Sequence, residues 1–97
     1  MERDFYVYIM TTAKKTVLYV GMTNDLVGRV HQHRARSVPG FTRCYNVDKL
    51  AYYELHPDAY STITREKQLK AGPRSHKVAL INSMNPEWRD LWADSVL

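Results

Sequence analysis

The stretch Leu18-Tyr19-Val20-Gly21-Met22-Thr23-Asn24-Asp25-Leu26 decides how this chain folds, because a strand passes directly into a helix within it. β-Branched and aromatic residues dominate 17–22 and predict a strand. Asn24 and Asp25 predict the start of a helix, with Asn24 as the cap and an acid in the first turn. We expect this helix to continue to about residue 36. Its apolar residues form one buried stripe: Leu26, Val27 and Val30.

The residues before this stretch predict a second strand. Residues 5–10 alternate between two apolar or aromatic sets, so both faces of that strand should be covered. The polar connection over 11–16 then suits an antiparallel hairpin with 17–22. The same patterns predict the rest of the chain: a loop over 37–46, a third strand over 49–55, a helix over 61–70 that stops at Gly72-Pro73, and a helix capped by Ser75 that ends near Asn85.

The predicted order of elements is β-β-α-β-α-α, a small α/β layer of three strands with helices on it. A chain of 97 residues fits one domain, spanning 1–97, and leaves no room for a second. The large apolar residues after the last helix are expected to fold back onto the domain: Trp88, Leu91 and Trp92.

Positive charge is concentrated in two windows of the sequence. The chain carries 14 Lys and Arg against 10 Asp and Glu, a net charge of +4. No carboxylate occurs from Leu26 to Val47, and Glu66 is the only one from Ala59 to Pro86. Arginine-rich windows favour a polyanionic partner such as nucleic acid, because guanidinium groups fit phosphate oxygens and counterion release adds affinity. The alternative is a solvated basic surface without a partner.

Composition argues against several classes of protein. No run approaches the roughly 18 apolar residues of a membrane span, and the charged start from Met1 to Asp4 is unlike a signal peptide. Cys44 is the only cysteine, so an intramolecular disulfide is impossible and a reducing, cytoplasmic location is expected. One Cys and four scattered His also argue against a structural zinc site.

Two polar residues of the first helix stand next to its buried stripe. Arg29 and His33 are four residues apart and share one face. Arg29 also borders Leu26 and Val30, so its guanidinium is partly desolvated and needs an anionic partner. That partner is either a bound anion or a carboxylate of the protein, and the sequence leaves both open.

Glu66 is expected on an inward helix face, three residues after Ile63 and three before Leu69. A lone carboxylate among five bases in that window has two uses. It can pair with Arg29 or a lysine, or it can hold a divalent cation beside a bound phosphate.

Tyr8 and Tyr19 lie on the two strands of the predicted hairpin, close to cross-strand register. Their phenols either point into one site or form an aromatic pair in the core, which would contribute about 0.2–1 kcal/mol. Gly21 weakens a strand unless another backbone or a ligand approaches it closely.

Taken together, these residues resemble the GIY-YIG nuclease superfamily. Residues 18–26, followed by Arg29 and His33, resemble its second signature strand and first helix. Tyr6-Val7-Tyr8 stands at the place of its first signature, with Tyr6 where the family has Gly.

The second half of the chain carries two further motifs of that superfamily. Arg65 to Lys70 resembles the motif around its metal-binding Glu, and Asn85-Pro86-Glu87-Trp88 with Asp90-Leu91 is similar to the closing motif of its small stand-alone members. The resemblance covers nearly the whole chain, and it implies an α+β fold with a three-stranded antiparallel sheet flanked by helices.

The resemblance also implies roles for individual residues. Tyr19 matches the tyrosine that activates the attacking water, and Tyr8 matches the tyrosine that supports that site. Arg29 matches the residue that stabilises the phosphate in the transition state, and Glu66 matches the carboxylate that holds one Mg2+ or Mn2+ ion. His33 matches a histidine that is present in some members. Gly21, Lys70 and Asn85 are implied to line the site, with a purely structural role as the alternative for Asn85.

Elementary chemistry is consistent with those roles. Phenols are weak bases near neutral pH, so a tyrosine that activates water needs nearby cations that favour its phenolate. Arg29 and a metal on Glu66 would supply that field. The same two charges would stabilise the phosphate as water attacks phosphorus.

The expected function is metal-dependent hydrolysis of phosphodiester bonds in nucleic acid, with DNA favoured over RNA and structure over sequence. The basic residues expected to contact phosphates are Arg34, Arg36, Arg43, Lys70 and Arg74. Two alternatives stay open: a catalytically inactive nucleic-acid-binding module of the same fold, and a small protein-interaction domain that docks through its aromatic C-terminus. We further expect a monomer without a membrane partner, whose specificity a protein partner could supply.

Overall fold

Three antiparallel strands form one sheet in the order β2-β1-β3. The structure, a computed structural model, describes residues 4–35 and 46–94. Its strands are β1 (Phe5–Thr11), β2 (Leu18–Thr23) and β3 (Lys49–His56), and its helices are α1 (Leu26–Arg34), α2 (Ala59–Ala71), α3 (Arg74–Met84) and α4 (Leu91–Asp94). The predicted fold class and the order β-β-α-β-α-α are confirmed, and the short helix α4 follows them.

The central strand β1 is covered on both faces, as its sequence predicted. Val7 and Ile9 enter the first core cluster, whose other buried members are Val20, Ala51, Tyr52, Leu69 and Ile81. Tyr8 and Met10 enter the second core cluster, with Leu26, Val30, Val47 and Leu50. Helices α2 and α3 therefore cover one face of the sheet, and α1 covers the other.

Helix α1 begins one residue later than predicted. Asp25, not Asn24, is its cap, and the carboxylate of Asp25 accepts a hydrogen bond of 3.1 Å from the backbone N–H of Gly28. The helix ends at Arg34, about two residues before the predicted end.

The buried stripe of α1 also differs from the prediction. Leu26, Val30 and His33 face the core, whereas Val27 is 40% exposed. Residues at spacings of four and seven share a helix face, and Val27 lies to one side of it. The prediction of a buried Val27 was therefore wrong, and a histidine takes the third inward position.

Helix α2 begins two residues before its predicted start. Asp58 caps it by accepting a hydrogen bond of 2.7 Å from the backbone N–H of Ser61. The helix ends at Ala71, and the predicted stop at Gly72-Pro73 is confirmed.

The inward face of α2 is formed by Thr62 and Leu69, which are seven residues apart. Ile63 is 41% exposed, so the prediction that it faces inward was wrong. The hydroxyl of Thr62 donates to the Asp58 carbonyl at 2.6 Å, which lets a polar residue take the inward position in the first turn.

Helix α3 begins at Arg74 directly after Pro73, so Ser75 lies inside the helix and the predicted Ser75 cap was wrong. Proline has no backbone N–H that would need a partner at this position. The predicted end near Asn85 is confirmed. Ile81 is fully buried, whereas Met84, near the end of the helix, is 45% exposed.

The C-terminal aromatic residues fold back as predicted. Trp88 packs against the first core cluster, and Leu91 and Trp92 pack against the second. The predicted loop over 37–46 lies outside the described residues except for Asn46. No helix in the described ranges is both long and apolar enough to cross a membrane.

Candidate active site

Tyr8 lies at the centre of the candidate site. Its hydroxyl is hydrogen-bonded to Nε2 of His33 at 3.0 Å, which joins the central strand β1 to helix α1. Both side chains are at most 1% exposed. His33 reaches this position because it follows Leu26 and Val30 on the inward face of α1.

Tyr19 approaches the same pair from β2. In the sheet Tyr8 is opposite Gly21, and Tyr19 is opposite Met10, so the two tyrosines are diagonal neighbours on one face. The ring centroids of Tyr8 and Tyr19 are 6.4 Å apart, and those of Tyr19 and His33 are 5.3 Å apart. The predicted proximity of the two phenols is present, with an offset of two residues from direct register.

Gly21 makes room for the ring of Tyr8. A Cβ atom at position 21 would overlap the hydroxyl and the outer ring carbons of Tyr8. The close neighbour that the sequence predicted for this glycine is therefore a side chain of the protein, not a backbone or a ligand.

The imidazole of His33 is only partly satisfied. Its Nδ1 is buried and has no hydrogen-bond partner within the described part of the chain. Burial, followed by the positive charge of Arg29, lowers the pKa of His33. The imidazole is therefore neutral at physiological pH, and only Nε2 takes part in the contact with Tyr8.

Arg29 lies one turn before His33 and is half-buried. Among the described residues, its guanidinium makes no hydrogen bond or ion pair. Its charge acts on both His33 and Tyr8. Of the two partners that the sequence left open for Arg29, a carboxylate is not found in the described ranges, which favours a bound anion.

The charges around Tyr8 come from three other elements. Burial raises the pKa of Tyr8 well above its usual range, and Tyr19 and Glu66 raise it further while Arg29 opposes them. The charge of Glu66, on helix α2, thus acts on the hydroxyl of Tyr8 as well. Tyr8 consequently keeps its proton.

Glu66 itself is paired with a lysine. Its carboxylate lies 3.4 Å from Nζ of Lys70, one turn later on α2, and its side chain is 18% exposed. Of the pairings that the sequence allowed, the structure contains the one with a lysine and not the one with Arg29. The Lys70 side chain is 52% exposed, so this ion pair contributes only about 0–1 kcal/mol.

The residues around Glu66 suit a magnesium-like ion held by a single carboxylate. Mg2+ usually keeps several waters and binds one or two carboxylates together with substrate phosphates. Glu66 offers one half-buried carboxylate whose present partner is a weakly bound ammonium. No group of three or more His, Cys, Asp or Glu that could cage a metal occurs within residues 4–35 and 46–94.

Of the two roles that the resemblance implies for Asn85, the hydrogen bonds of its side chain show the structural one. Its amide nitrogen donates to the carbonyls of Ala51 at 3.1 Å and Arg89 at 2.7 Å, and its oxygen accepts from the backbone N–H of Arg89 at 3.0 Å. These bonds occupy the buried amide and fasten the C-terminal segment to β3. That Asn85 also lines the site stays a prediction.

Two of the arginines predicted to contact phosphate already have partners. Arg34 pairs with Asp90 at 2.7 Å and also donates to the carbonyl of Asp48 at 3.2 Å. Arg74 donates to the carbonyls of Lys15 and Thr16 in the β1–β2 connection. Their contact with nucleic acid stays a prediction, and Arg36 and Arg43 lie outside the described residues.

A polar cluster that the sequence did not predict lies on β3 beneath α2. The carboxylate of Glu54 accepts hydrogen bonds from Tyr52 at 2.5 Å and from Arg65 at 2.8 Å, and it lies 2.7 Å from Nε2 of His56. Burial alone would raise the pKa of Glu54, but the bonds from Arg65, Tyr52 and His56 outweigh it and lower the pKa. Burial and the bond to Glu54 raise the pKa of Tyr52 to about 12.

The signal for this cluster was present in the sequence. Tyr52, Glu54 and His56 alternate along one strand, and a period of two places them on one face. Arg65, which directly precedes Glu66, completes the cluster, so it attaches the helix that carries Glu66 to the sheet.

Comparison with known proteins identifies the family. Residues 4–78 match the model of the GIY-YIG catalytic domain. The chain belongs to the GIY-YIG family. Tyr6-Val7-Tyr8 on β1 and Tyr19-Val20-Gly21 on β2 resemble the two GIY-YIG signatures, and the two segments lie on paired strands with Tyr8 opposite Gly21. The GIY-YIG domain defines a nuclease superfamily.

The relatives of this GIY-YIG chain are small proteins of similar length. A UPF0213 protein of Clostridium perfringens is 35% identical over 78 residues, which cover 80% of this chain and 83% of that protein. A UPF0213 protein of Streptococcus sanguinis is 31% identical over 81 residues, which cover 84% and 92%. The resemblance to a small single-domain GIY-YIG group is thereby confirmed.

A solved structure shares the fold. The solution NMR structure of a UPF0213 protein from Bacillus halodurans aligns with a TM-score of 0.57 at 22% sequence identity, covering 90% of this chain and 92% of that one. At this identity the likeness shows a shared fold.

Proposed function

We propose that this protein is a metal-dependent endonuclease that hydrolyses phosphodiester bonds in nucleic acid, with DNA preferred over RNA and structure over sequence. Membership of a nuclease superfamily supports the general chemistry. The single observation that carries the proposal for this chain is the meeting of three elements at Tyr8. Its ring lies 6.4 Å from that of Tyr19 on β2, and its hydroxyl is hydrogen-bonded to His33, which follows Arg29 by one turn on α1.

Tyr19, as the phenolate that the positive charges of Arg29 and of a cation on Glu66 would favour, accepts the proton of the attacking water, whose oxygen bonds to phosphorus as the bond from phosphorus to the leaving oxygen breaks. Its side chain is half-buried and lines a surface cavity, so solvent reaches it. Tyr8 is unsuited to this task because it is buried, hydrogen-bonded to His33 and held in its protonated form. Tyr8 and His33 instead fix the position of the site.

Arg29 binds a nonbridging oxygen of the scissile phosphate. A half-buried guanidinium with no anionic partner in the described ranges attracts phosphate, since its desolvation is not compensated within the protein. Its positive charge also stabilises the additional negative charge that develops as water attacks phosphorus.

Glu66 would hold the divalent cation. When bound, Mg2+ or Mn2+ supplies positive charge that offsets the charge on the phosphate and on the leaving oxygen. Lys70 would then give up its weak ion pair with Glu66 and become available to substrate. The charged groups of this site suit the phosphate backbone and not the base edges, which supports recognition of structure over sequence.

The test is a nicking assay on supercoiled and branched DNA with Mg2+ or Mn2+ and with a chelator as the metal-free condition. We expect metal-dependent cutting by the native protein. Glu66→Gln and Arg29→Gln should bind DNA but cut it at least roughly 100-fold more slowly, which is the effect of removing one transition-state contact. Glu87→Gln is the matched control, because this carboxylate is 77% exposed and pairs only loosely with Arg89.

The other outcomes separate the alternatives. Salt-sensitive binding without a metal-dependent product from any substrate would replace the enzyme by a nucleic-acid-binding module. Binding that is absent or insensitive to salt would leave the protein-interaction domain. Cutting by Glu66→Gln at the native rate would refute the role of Glu66.

A further inference from the structure

We propose that Lys70 and Lys77 form a second phosphate subsite beside Tyr19, which holds the phosphate next to the scissile one along the nucleic-acid strand. This inference rests on the proposed nuclease function and deepens it, because it names a feature that the substrate must have. Lys77 is not among the site residues that the sequence predicted.

The subsite is a surface cavity of about 340 Å³ at an edge of the sheet. In the described sheet β2 pairs with β1 alone, so its other side is an edge. The cavity is lined by Leu18, Tyr19 and Val20 from β2 and by Lys70 and Lys77 from α2 and α3. No acidic residue is among these five, so the two lysines give the lining a positive charge, which Glu66 beside Lys70 partly offsets. The cavity adjoins the candidate catalytic tyrosine.

Two contacts of α3 place Lys77 at this edge. Arg74 donates hydrogen bonds of 2.9 Å and 3.2 Å to the carbonyls of Lys15 and Thr16, which fasten the start of α3 to the hairpin. Lys77 follows one turn later on the same side of the helix. Its ammonium donates to the carbonyl of Gly72 at 2.9 Å, so its position is held between α2 and α3.

Both ammonium groups keep donors for a ligand. Each carries three N–H donors. Lys77 uses one on Gly72, and Lys70 forms an ion pair with Glu66, so at least two donors remain on each lysine for the oxygens of one phosphate. The pair with Glu66 is weak because Lys70 is half exposed, so an anion competes for that ammonium with little cost.

A phosphate of the nucleic-acid backbone suits this cavity because the cavity adjoins the proposed cleavage site. Tyr19 belongs both to the proposed cleavage site and to the cavity wall, and Lys70 lies 3.4 Å from Glu66. The two sites are therefore contiguous. A strand whose scissile phosphate meets Tyr19 and Arg29 would place a neighbouring phosphate at the two lysines.

The experiment combines one protein variant with altered DNA. Binding of a labelled oligonucleotide is measured by fluorescence anisotropy across a salt series, in the full chain carrying Glu66→Gln to prevent cutting. We expect Lys77→Met to lower the slope of log K against log salt by about 1, the loss of one phosphate contact, and Lys77→Arg to restore it. Lys14→Met, which removes the same charge from the exposed hairpin connection, should change the slope less.

A methylphosphonate scan identifies the phosphate concerned. One neutral methylphosphonate next to the cleavage position should weaken binding to the chain that retains Lys77, and should have no further effect on Lys77→Met. This scan also tests the subsite if Lys77→Met folds poorly. The chain that retains Lys77 must then bind the methylphosphonate oligonucleotide more weakly than the unmodified one. No sensitivity at either neighbouring phosphate would overturn the subsite.

The failure of this inference can be told apart from failure of the nuclease proposal. If the native chain binds and cuts DNA while Lys77→Met behaves like Lys14→Met and still senses the methylphosphonate, the subsite is refuted and the nuclease proposal stands. If the native chain neither binds nor cuts, the nuclease proposal is refuted and the subsite with it.

Discussion

The hydroxyl of Tyr8 and Nε2 of His33, 25 residues apart in the sequence, form a buried hydrogen bond of 3.0 Å. This bond joins the first GIY-YIG signature on β1 to helix α1. Arg29 lies one turn before His33 on the same helix, so the bond also sets where the guanidinium stands relative to the two tyrosines.

The neutral His33 makes stability depend on pH. Its pKa is lowered in the folded protein by burial and then by Arg29, whereas in the unfolded chain it returns to about 6.5. As pH falls below about 6.5, the unfolded state therefore binds more protons than the folded state. The free energy of unfolding should decrease there by at most about 1.4 kcal/mol per pH unit, until the lowered pKa is reached.

Urea titrations between about pH 5 and pH 7 test this pH dependence. His33→Gln keeps a polar group that can bond Tyr8 but does not titrate, so its stability should change less over that range. His76→Gln, at an exposed histidine on α3, is the matched control. If both variants flatten the curve equally, His33 is not the responsible group.

Removing the two tyrosine hydroxyls should have separable effects. Tyr8→Phe leaves both ring nitrogens of His33 without a partner in the described part of the chain, which should cost about 1–3 kcal/mol of stability. Tyr19→Phe should cost less, because Tyr19 is only half-buried, but it should slow cleavage roughly 100-fold or more.

Thermal or urea unfolding and single-turnover cleavage measure these two effects on the same samples. The opposite pattern, with Tyr19→Phe strongly destabilised and Tyr8→Phe fully stable, would contradict the assignment of Tyr8 to the core and of Tyr19 to the chemistry.

Gly21→Ala should destabilise the protein through the ring of Tyr8. The new Cβ would overlap the Tyr8 hydroxyl, and such overpacking typically costs about 1–3 kcal/mol. The ring would have to move away from His33, so activity should fall as well. Combining Gly21→Ala with Tyr8→Leu removes the clash, and the double variant should be more stable than the sum of the two single effects indicates. Strict additivity would mean that the ring is not the obstacle.

Glu54 should contribute stability that is lost in acid. Bonds from Arg65, Tyr52 and His56 lower its pKa in the folded state despite burial, so its contribution is present above the unfolded pKa and declines as pH falls through the lowered folded value. Glu54→Gln should cost about 1–3 kcal/mol near neutral pH, because charged donors lose their anionic partner.

The same variant should show a shallower loss of stability below about pH 4.5, since the group that titrates there is gone. Glu87→Gln, at an exposed carboxylate, is the matched control and should leave the acid limb nearly unchanged. An acid limb as steep in Glu54→Gln as in the native chain would show that the cluster does not depend on the charge of Glu54.

The sequence by itself determined the elements and much of the candidate site. The two apolar faces of β1, the passage from β2 into α1 and the stop at Gly72-Pro73 are local patterns, because alternation, capping chemistry and backbone restrictions act over a few residues. The two tyrosine signatures on neighbouring strands, with Arg29 and His33 one turn apart on a helix, likewise required only local spacing.

The tertiary structure decided the rotation of each helix and the partner of each charge. The packing of α1 against the sheet placed His33 inward with Leu26 and Val30 and left Val27 exposed. Some contacts depend on how the helices pack against the sheet. Arg34 meets Asp90, 56 residues away, and Arg65 from α2 completes the Glu54 cluster on β3. Charge pairs form between whichever groups that packing brings together, and the spacing of residues along the chain does not contain this information.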